Sequence, residues 1–285
     1  MMNLVQSPTR SRPVRPDSIA PDAVAPERRG LPSSLSGLAG RASAGPPAWR
    51  VLRALVELRQ GVELRPAGPA ELTQKALRLR ELCSMVCDMH RIEIEVRGQL
   101  PESPAIVVAN HLGYIDPVVL CSLLPLSPVA KSEISDWALV GVPLERLNVS
   151  FVRRGDAHSG ARVLLRSLRN LDAGISVLNF PEGTTSRGGL LPFHLGAFWL
   201  SRRTGVPVVP MSMDFEDMGL CWVDQEGFLP HYARVWWHGG TRRVRVSVGQ
   251  PLYPEDYRSE LDLSWAARES IARGRAPYAP TAALP

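Results

Sequence analysis

Residues Ile106-Val107-Val108-Ala109 run straight into Asn110-His111, and Asp116-Pro117 follows five residues after the histidine. A short apolar run rich in β-branched residues reads as a strand buried in a sheet, and its polar exit places reactive side chains at the strand end. Asp-Pro is a helix-start signal, because Asp can cap free N–H groups and Pro fits the first helical position. The spacing therefore predicts a tight strand-to-helix turn with His111 and Asp116 at its two ends, and a helix from Pro117 to about Leu124. A carboxylate there can meet the imidazole. Such a pair makes a general base: the carboxylate fixes the tautomer and stabilises the imidazolium that forms. Taken alone, the same residues also fit a plain helix cap beside a polar loop histidine.

The rest of the 285-residue chain supplies the setting. Residues 1–45 are rich in Pro, Arg and Ser without an apolar period, and are expected to be a disordered tail. Residues 46–91 are expected to be helical. Trp49, Leu52, Leu55 and Val56 share a helical stripe, making 47–60 a candidate membrane-associating segment or a helix docked on its own domain. A second helix is predicted over 70–90 from Leu72, Ala76, Leu79, Cys83, Val86 and Met89. From residue 92 to 275, strands at 92–96, 106–109, 149–152, 175–180, 206–211 and 243–248 alternate with helical periods. In the helix after Asp156, Ala161, Leu164, Leu165, Leu168 and Leu171 are the expected inward face. The fold class that follows is α/β, a largely parallel sheet flanked by helices with a helical N-terminal segment. Residues 276–285 are expected to be a tail.

Composition narrows the partners. The formal net charge of +5 favours anionic ones. Much of the excess arginine lies in the first 45 residues, however, so nucleic-acid binding is not expected. The four cysteines, Cys83, Cys87, Cys121 and Cys221, show no metal spacing and no disulfide framework, which implies core packing in a reducing compartment. No stretch is long and apolar enough for a membrane span, and the N-terminus lacks the apolar centre of a secretory signal.

Three strand exits carry polar clusters: Asn110-His111 with Asp116, Arg153-Arg154, and Glu182-Gly183-Thr184. In a parallel sheet these ends can converge on one mouth. A base, cationic anchors and a glycine turn suit acyl transfer onto the hydroxyl of an anionic acceptor. Individually, adjacent arginines fit a solvated surface pair and Glu-Gly fits a simple turn.

Together these blocks resemble the phospholipid/glycerol acyltransferase family. Asn110-His111-x-x-x-x-Asp116 is similar to its first motif. Phe151-Val152-Arg153-Arg154 is similar to the second, with Lys131 and Pro143 fitting its long form. Phe180-Pro181-Glu182-Gly183-Thr184 is similar to the third, and Val206-Pro207-Val208-Val209-Pro210 to the fourth. The four blocks stand in family order across about residues 105–217, inside a domain of 92–275.

The resemblance implies a glycerol-phosphate acyltransferase-like fold, with His111 as base and Asp116 as its partner. Arg154, with Arg153 nearby, would bind the acceptor's phosphate. Glu182, Gly183 and Thr184 would support acceptor positioning. No metal or bound cofactor is expected; acyl-CoA or an acyl carrier protein would be a co-substrate. The partners would be a lysolipid acceptor, an acyl thioester donor and a membrane surface, met peripherally at the cytoplasmic face. The first expectation for the reaction is lysophosphatidate to phosphatidate, and the alternative is another lysolipid such as lyso-ornithine lipid. The chain departs from the lysophosphatidate enzymes at two positions. They commonly carry Arg directly after the third motif's Thr, where this chain has Thr185; for a phosphate acceptor the charge would then come from Arg153 or from Arg187, a further candidate for binding the acceptor. They often carry Asp where it has Arg153. A thioesterase is disfavoured by the lack of a Gly-x-Ser-x-Gly turn, and a non-catalytic membrane binder by the motif block.

Overall fold

The computed structural model describes residues 47–60, 68–102, 104–137, 139–153, 155–186, 189–223, 226–237 and 240–275. The expected tails at 1–45 and 276–285, and the arginines Arg154 and Arg187, lie outside the described residues.

The chain opens with two helices, α1 (Pro47–Gln60) and α2 (Pro69–Met89). Strand β1 (Ile92–Arg97) follows, then β2 (Ile106–Ala109), α3 (Ile115–Leu123), β3 (Leu126–Lys131), α4 (Gly141–Arg146) and β4 (Ser150–Val152). Next come α5 (Ala157–Asp172), β5 (Ser176–Asn179), α6 (Gly196–Thr204) and β6 (Val208–Phe215). The chain then makes α7 (Phe228–Trp237), β7 (Arg242–Val248) and α8 (Glu260–Gly274).

The seven strands form one sheet in the order β1-β7-β6-β2-β5-β3-β4. Every pairing is parallel except β6 with β7. Strand β2 sits centrally between β5 and β6, and all four of its residues are buried. Its side chains alternate between two cores, as a strand covered on both faces requires. Val107 and Ala109 join the core under α2 and α3. Ile106 and Val108 join the core with α5, α6 and α8.

The structure departs from the sequence reading in several places. Strand β3 was masked by Pro128, which ordinarily argues against an interior strand. Pro128 is the last residue in register with β5, and pairing with β4 begins at Val129, so the proline falls where the ladder changes sides. The short α4 and the aromatic α7, with Pro230 in its first turn, were not among the expected helices. In α5, Leu165 is 58% exposed rather than inward. The helix instead buries Ser159, Ser167, Asn170 and Leu171. A polar network explains the rotation: Asn170 Nδ2 donates to Ser127 Oγ, and Asn148 Nδ2 to Asn170 Oδ1, both at 2.8 Å. Buried amides must find partners, and these find them only with that face turned in.

Helix α1 presents two faces. It docks, with Val51 buried, Ala54, Leu55 and Leu58 against the core, and Arg146 donating to Leu58 O and Arg59 O at 2.6 and 2.9 Å. It also leaves Trp49, Leu52 and Val56 exposed. Among the described residues no helix is long and apolar enough to cross a membrane.

Candidate active site

Strand β2 ends at the mouth of the sheet, and Asn110 fastens that end. Its Nδ2 donates to Met213 O at 3.0 Å, and Met213 N–H donates to its Oδ1 at 2.8 Å. This reciprocal pair, 1% exposed, locks β2 to β6 and fixes where His111 emerges.

The His111 ring meets Asp116 with 2.7 Å between Nδ1 and Oδ2. Asp116 is fully buried, and the same Oδ2 accepts from the backbone N–H groups of Leu112 and Gly113. This corrects the expected helix cap. Helix α3 starts at Ile115, one residue before the aspartate, and the carboxylate turns back to organise the loop carrying His111. An anion taking Nδ1–H leaves Nε2 as the ring's free acceptor, the tautomer a general base needs. The other oxygen, Oδ1, is buried without a hydrogen-bond partner. Positive charge gained by the ring therefore meets an incompletely neutralised carboxylate at contact distance.

A second acid acts on the backbone of the same histidine. Glu182 is 4% exposed, and its Oε1 accepts from His111 N–H at 3.0 Å. Its Oε2 accepts from Ser186 Oγ at 3.1 Å and Leu191 N–H at 2.9 Å. These donors compensate the burial of its charge. Ser186 N–H in turn donates to His111 O at 2.8 Å. The third-motif loop is thus stitched to both sides of the His111 peptide, and Phe180 stacks on the imidazole at 4.2 Å between centroids and 18° between planes.

Gly183 has φ of +67°, and a Cβ there would stand 2.9 Å from His194 Cδ2 and 3.0 Å from its Nε2. Only glycine fits that conformation under that ring. His194 N–H donates to Pro181 O at 2.8 Å, which ties its backbone to the turn. Thr184 and Thr185 follow, half-buried, with Thr185 Oγ1 lacking a hydrogen-bond partner.

Arg153 leaves β4 exposed to solvent. Strands β5 and β3 separate β2 from β4, so at about 4.8 Å per step the two exits lie roughly 14 Å apart across the mouth. That distance suits a substrate group remote from the reacting hydroxyl. The structure therefore brings His111, Asp116, Glu182 and Gly183 together and sets Arg153 at the rim. Phe180, His194 and Ser186 had no sequence signal for their contacts with the base or its loop. Among the described residues no three His, Cys, Asp or Glu side chains gather as a metal site, and all four cysteines are free and buried.

The family model for acyltransferases matches residues 91–214, a span holding His111, Asp116, Arg153 and Glu182. That match takes in 124 of the 285 residues of the chain. Among curated relatives, the lyso-ornithine lipid O-acyltransferase of Pseudomonas aeruginosa is 29% identical over 228 residues, covering 77% of this chain and 85% of that protein. The chloroplast 1-acyl-sn-glycerol-3-phosphate acyltransferase BAT2 of Brassica napus is 32% identical over 171 residues, 58% of this chain and 46% of that protein. The chain thus spans less than half of the plant relative. The crystal structure of the 1-acyl-sn-glycerophosphate acyltransferase PlsC from Thermotoga maritima shares its fold. The TM-score is 0.58 at 22% identity, over 80% of this chain and 86% of that chain.

Proposed function

We propose that this acyltransferase moves a fatty acyl group from an acyl thioester to the free hydroxyl of a lysolipid, working peripherally at the cytoplasmic face of a membrane. The observation that carries the reading is the 2.7 Å His111–Asp116 contact, held in place from both sides by the Asp116 and Glu182 carboxylates. His111 Nε2 takes the hydroxyl proton as the oxygen attacks the thioester carbonyl. The tetrahedral intermediate collapses, the C–S bond breaks, and the imidazolium returns its proton to the departing thiolate. Asp116 stabilises the imidazolium in between. No acyl-enzyme is formed and no metal or bound cofactor is used; the donor, acyl-CoA or an acyl carrier protein, enters as co-substrate.

For the acceptor we put lyso-ornithine lipid first. The relative bearing that name aligns along 85% of its own length. Thr185, moreover, stands where lysophosphatidate enzymes commonly carry an arginine. Lysophosphatidate is the second reading, supported by the likeness to the plant enzyme and by the arginines at the second motif. Arg153, Arg154 and Arg187 separate the two. A phosphomonoester needs guanidinium forks, so each Arg→Ala change raises the acceptor KM for lysophosphatidate strongly if that is the substrate. The ornithine acceptor, lacking a phosphate, responds weakly. Steady-state kinetics of the three variants against both acceptors decide the matter. Diacyl product from neither acceptor would overturn the proposal.

A further inference from the structure

Aromatic side chains from three separate stretches meet beside the catalytic turn. Tyr114 lies three residues after His111, and Trp137 lies beyond the end of β3. Trp222 and Phe228 belong to the connection between β6 and β7, outside the 91–214 family match. Phe228 stands 4.0 Å from Trp137, 5.1 Å from Tyr114 and 6.3 Å from Trp222, between ring centroids. Two hydrogen bonds tie this connection to the turn. Trp222 N–H donates to Leu112 O at 2.8 Å. The Tyr114 hydroxyl donates to His231 Nδ1 at 3.1 Å, since the ring's Nε2–H is committed to Cys221 O at 3.0 Å.

All four aromatic residues are only half-buried. Next to Phe228 stands Leu229, 75% exposed, and two residues from Trp137 stands Leu139, 57% exposed. Both leucines thus stand within two residues of the Trp137–Phe228 ring contact. A patch of exposed leucines over aromatic rings with polar edges matches the layering of a bilayer surface. Leucine enters the acyl region, while Trp and Tyr stay at headgroup depth. Lys131 and Arg153, at the mouth ends of neighbouring strands, add cations suited to anionic headgroups.

We propose that this patch is a membrane-entry lip, which seats Leu139 and Leu229 among lipid chains and holds the His111 turn at the bilayer surface. The inference rests on the lysolipid reading. The occupant is a lipid surface because the patch runs into the catalytic turn through Tyr114, where a protein partner would obstruct the path of a lipid substrate. Helix α1 carries a different exposed stripe, Trp49, Leu52 and Val56.

The test uses the full chain with vesicles of phosphatidylcholine and phosphatidylglycerol. Leu139→Glu and Leu229→Glu replace exposed side chains, so melting temperatures stay unchanged. Each lowers the vesicle partition coefficient roughly tenfold, as expected for losing one inserted leucine. Turnover with a short-chain, monomeric lysolipid stays at the wild-type rate, while turnover with vesicle-borne lysolipid falls with the partition coefficient. Unchanged flotation of both variants would overturn the lip, as would an equal loss of activity on monomeric acceptor. A wild-type dimer that both variants dissociate without change in flotation would assign the patch to self-association instead. Flotation needs no turnover, so a wild type that binds vesicles but makes no diacyl product would count against the acyl-transfer reading and leave the lip standing.

Discussion

At the scale of single residues, two buried carboxylates divide the work on one histidine. Asp116 holds the ring and Glu182 holds the peptide. Sequence spacing paired Asp116 with the His111 ring, as observed, and also read it as a helix cap, which it is not; the Glu182 bond to the His111 peptide carried no sequence signal. The Asp116 bonds are local, to N–H groups three and four residues back, whereas Glu182 reaches His111 N–H from 71 residues away, a contact no local spacing encodes. The structure makes Glu182 a positioning residue, and that has a kinetic signature. Glu182→Gln keeps one acceptor oxygen but cannot accept at both ends. It therefore lowers kcat roughly tenfold, about 1.4 kcal/mol of barrier, with the KM of donor and acceptor nearly unchanged. A raised acceptor KM with kcat intact would instead show that Glu182 touches substrate.

At the scale of elements, the site depends on how β2 is fastened to its neighbours. Asn110→Ala leaves the Met213 N–H and C=O buried without their partner. That destabilises the fold by roughly 2 kcal/mol, read as a lower denaturant midpoint at constant slope. An unchanged midpoint would show that β2 and β6 hold without the amide. The central strands and their helices were legible because buried β-branched runs and helical periods are strong signals: β2, β5, β6, α2 and α3 lie within a few residues of their expected bounds. Elements set by tertiary partners were not legible. β3 depends on a ladder that switches sides at Pro128. α7 is placed by aromatic contacts to Tyr114 and Trp137, which no local period encodes. The face of α5 is chosen by Asn148 and Ser127, distant in sequence from the helix.

At the scale of the whole molecule, the junction of the helical N-terminal segment with the sheet carries a built-in pH dependence. His90, at the end of α2, is 5% exposed and edge-on to Tyr232 at 5.5 Å, and its backbone oxygen accepts from Arg242. Burial first, and the Arg242 charge second, push its pKa down from 6.5 to about 4. Above about pH 6.5 neither folded nor unfolded chain protonates there, and the stability is fully present. As pH falls from 6.5 towards 4 the unfolded chain takes up a proton that the folded one refuses. Stability drops through that window, by on the order of 3 kcal/mol in all, and levels off below it. Chemical denaturation of His90→Gln across the same range shows a flatter profile than wild type; parallel profiles would place the dependence elsewhere.

In the proposed reaction His111 is a base that acts only when a hydroxyl acceptor is present. The most direct measurement is single-turnover transfer from a labelled acyl thioester, with and without lysolipid, by wild type and by folded His111→Ala. Wild type should give diacyl lipid only when lysolipid is present and no labelled protein in its absence, and His111→Ala should be slower by at least about 100-fold. Free fatty acid released without lysolipid, a labelled acyl-protein, or near-normal transfer by His111→Ala would contradict the account.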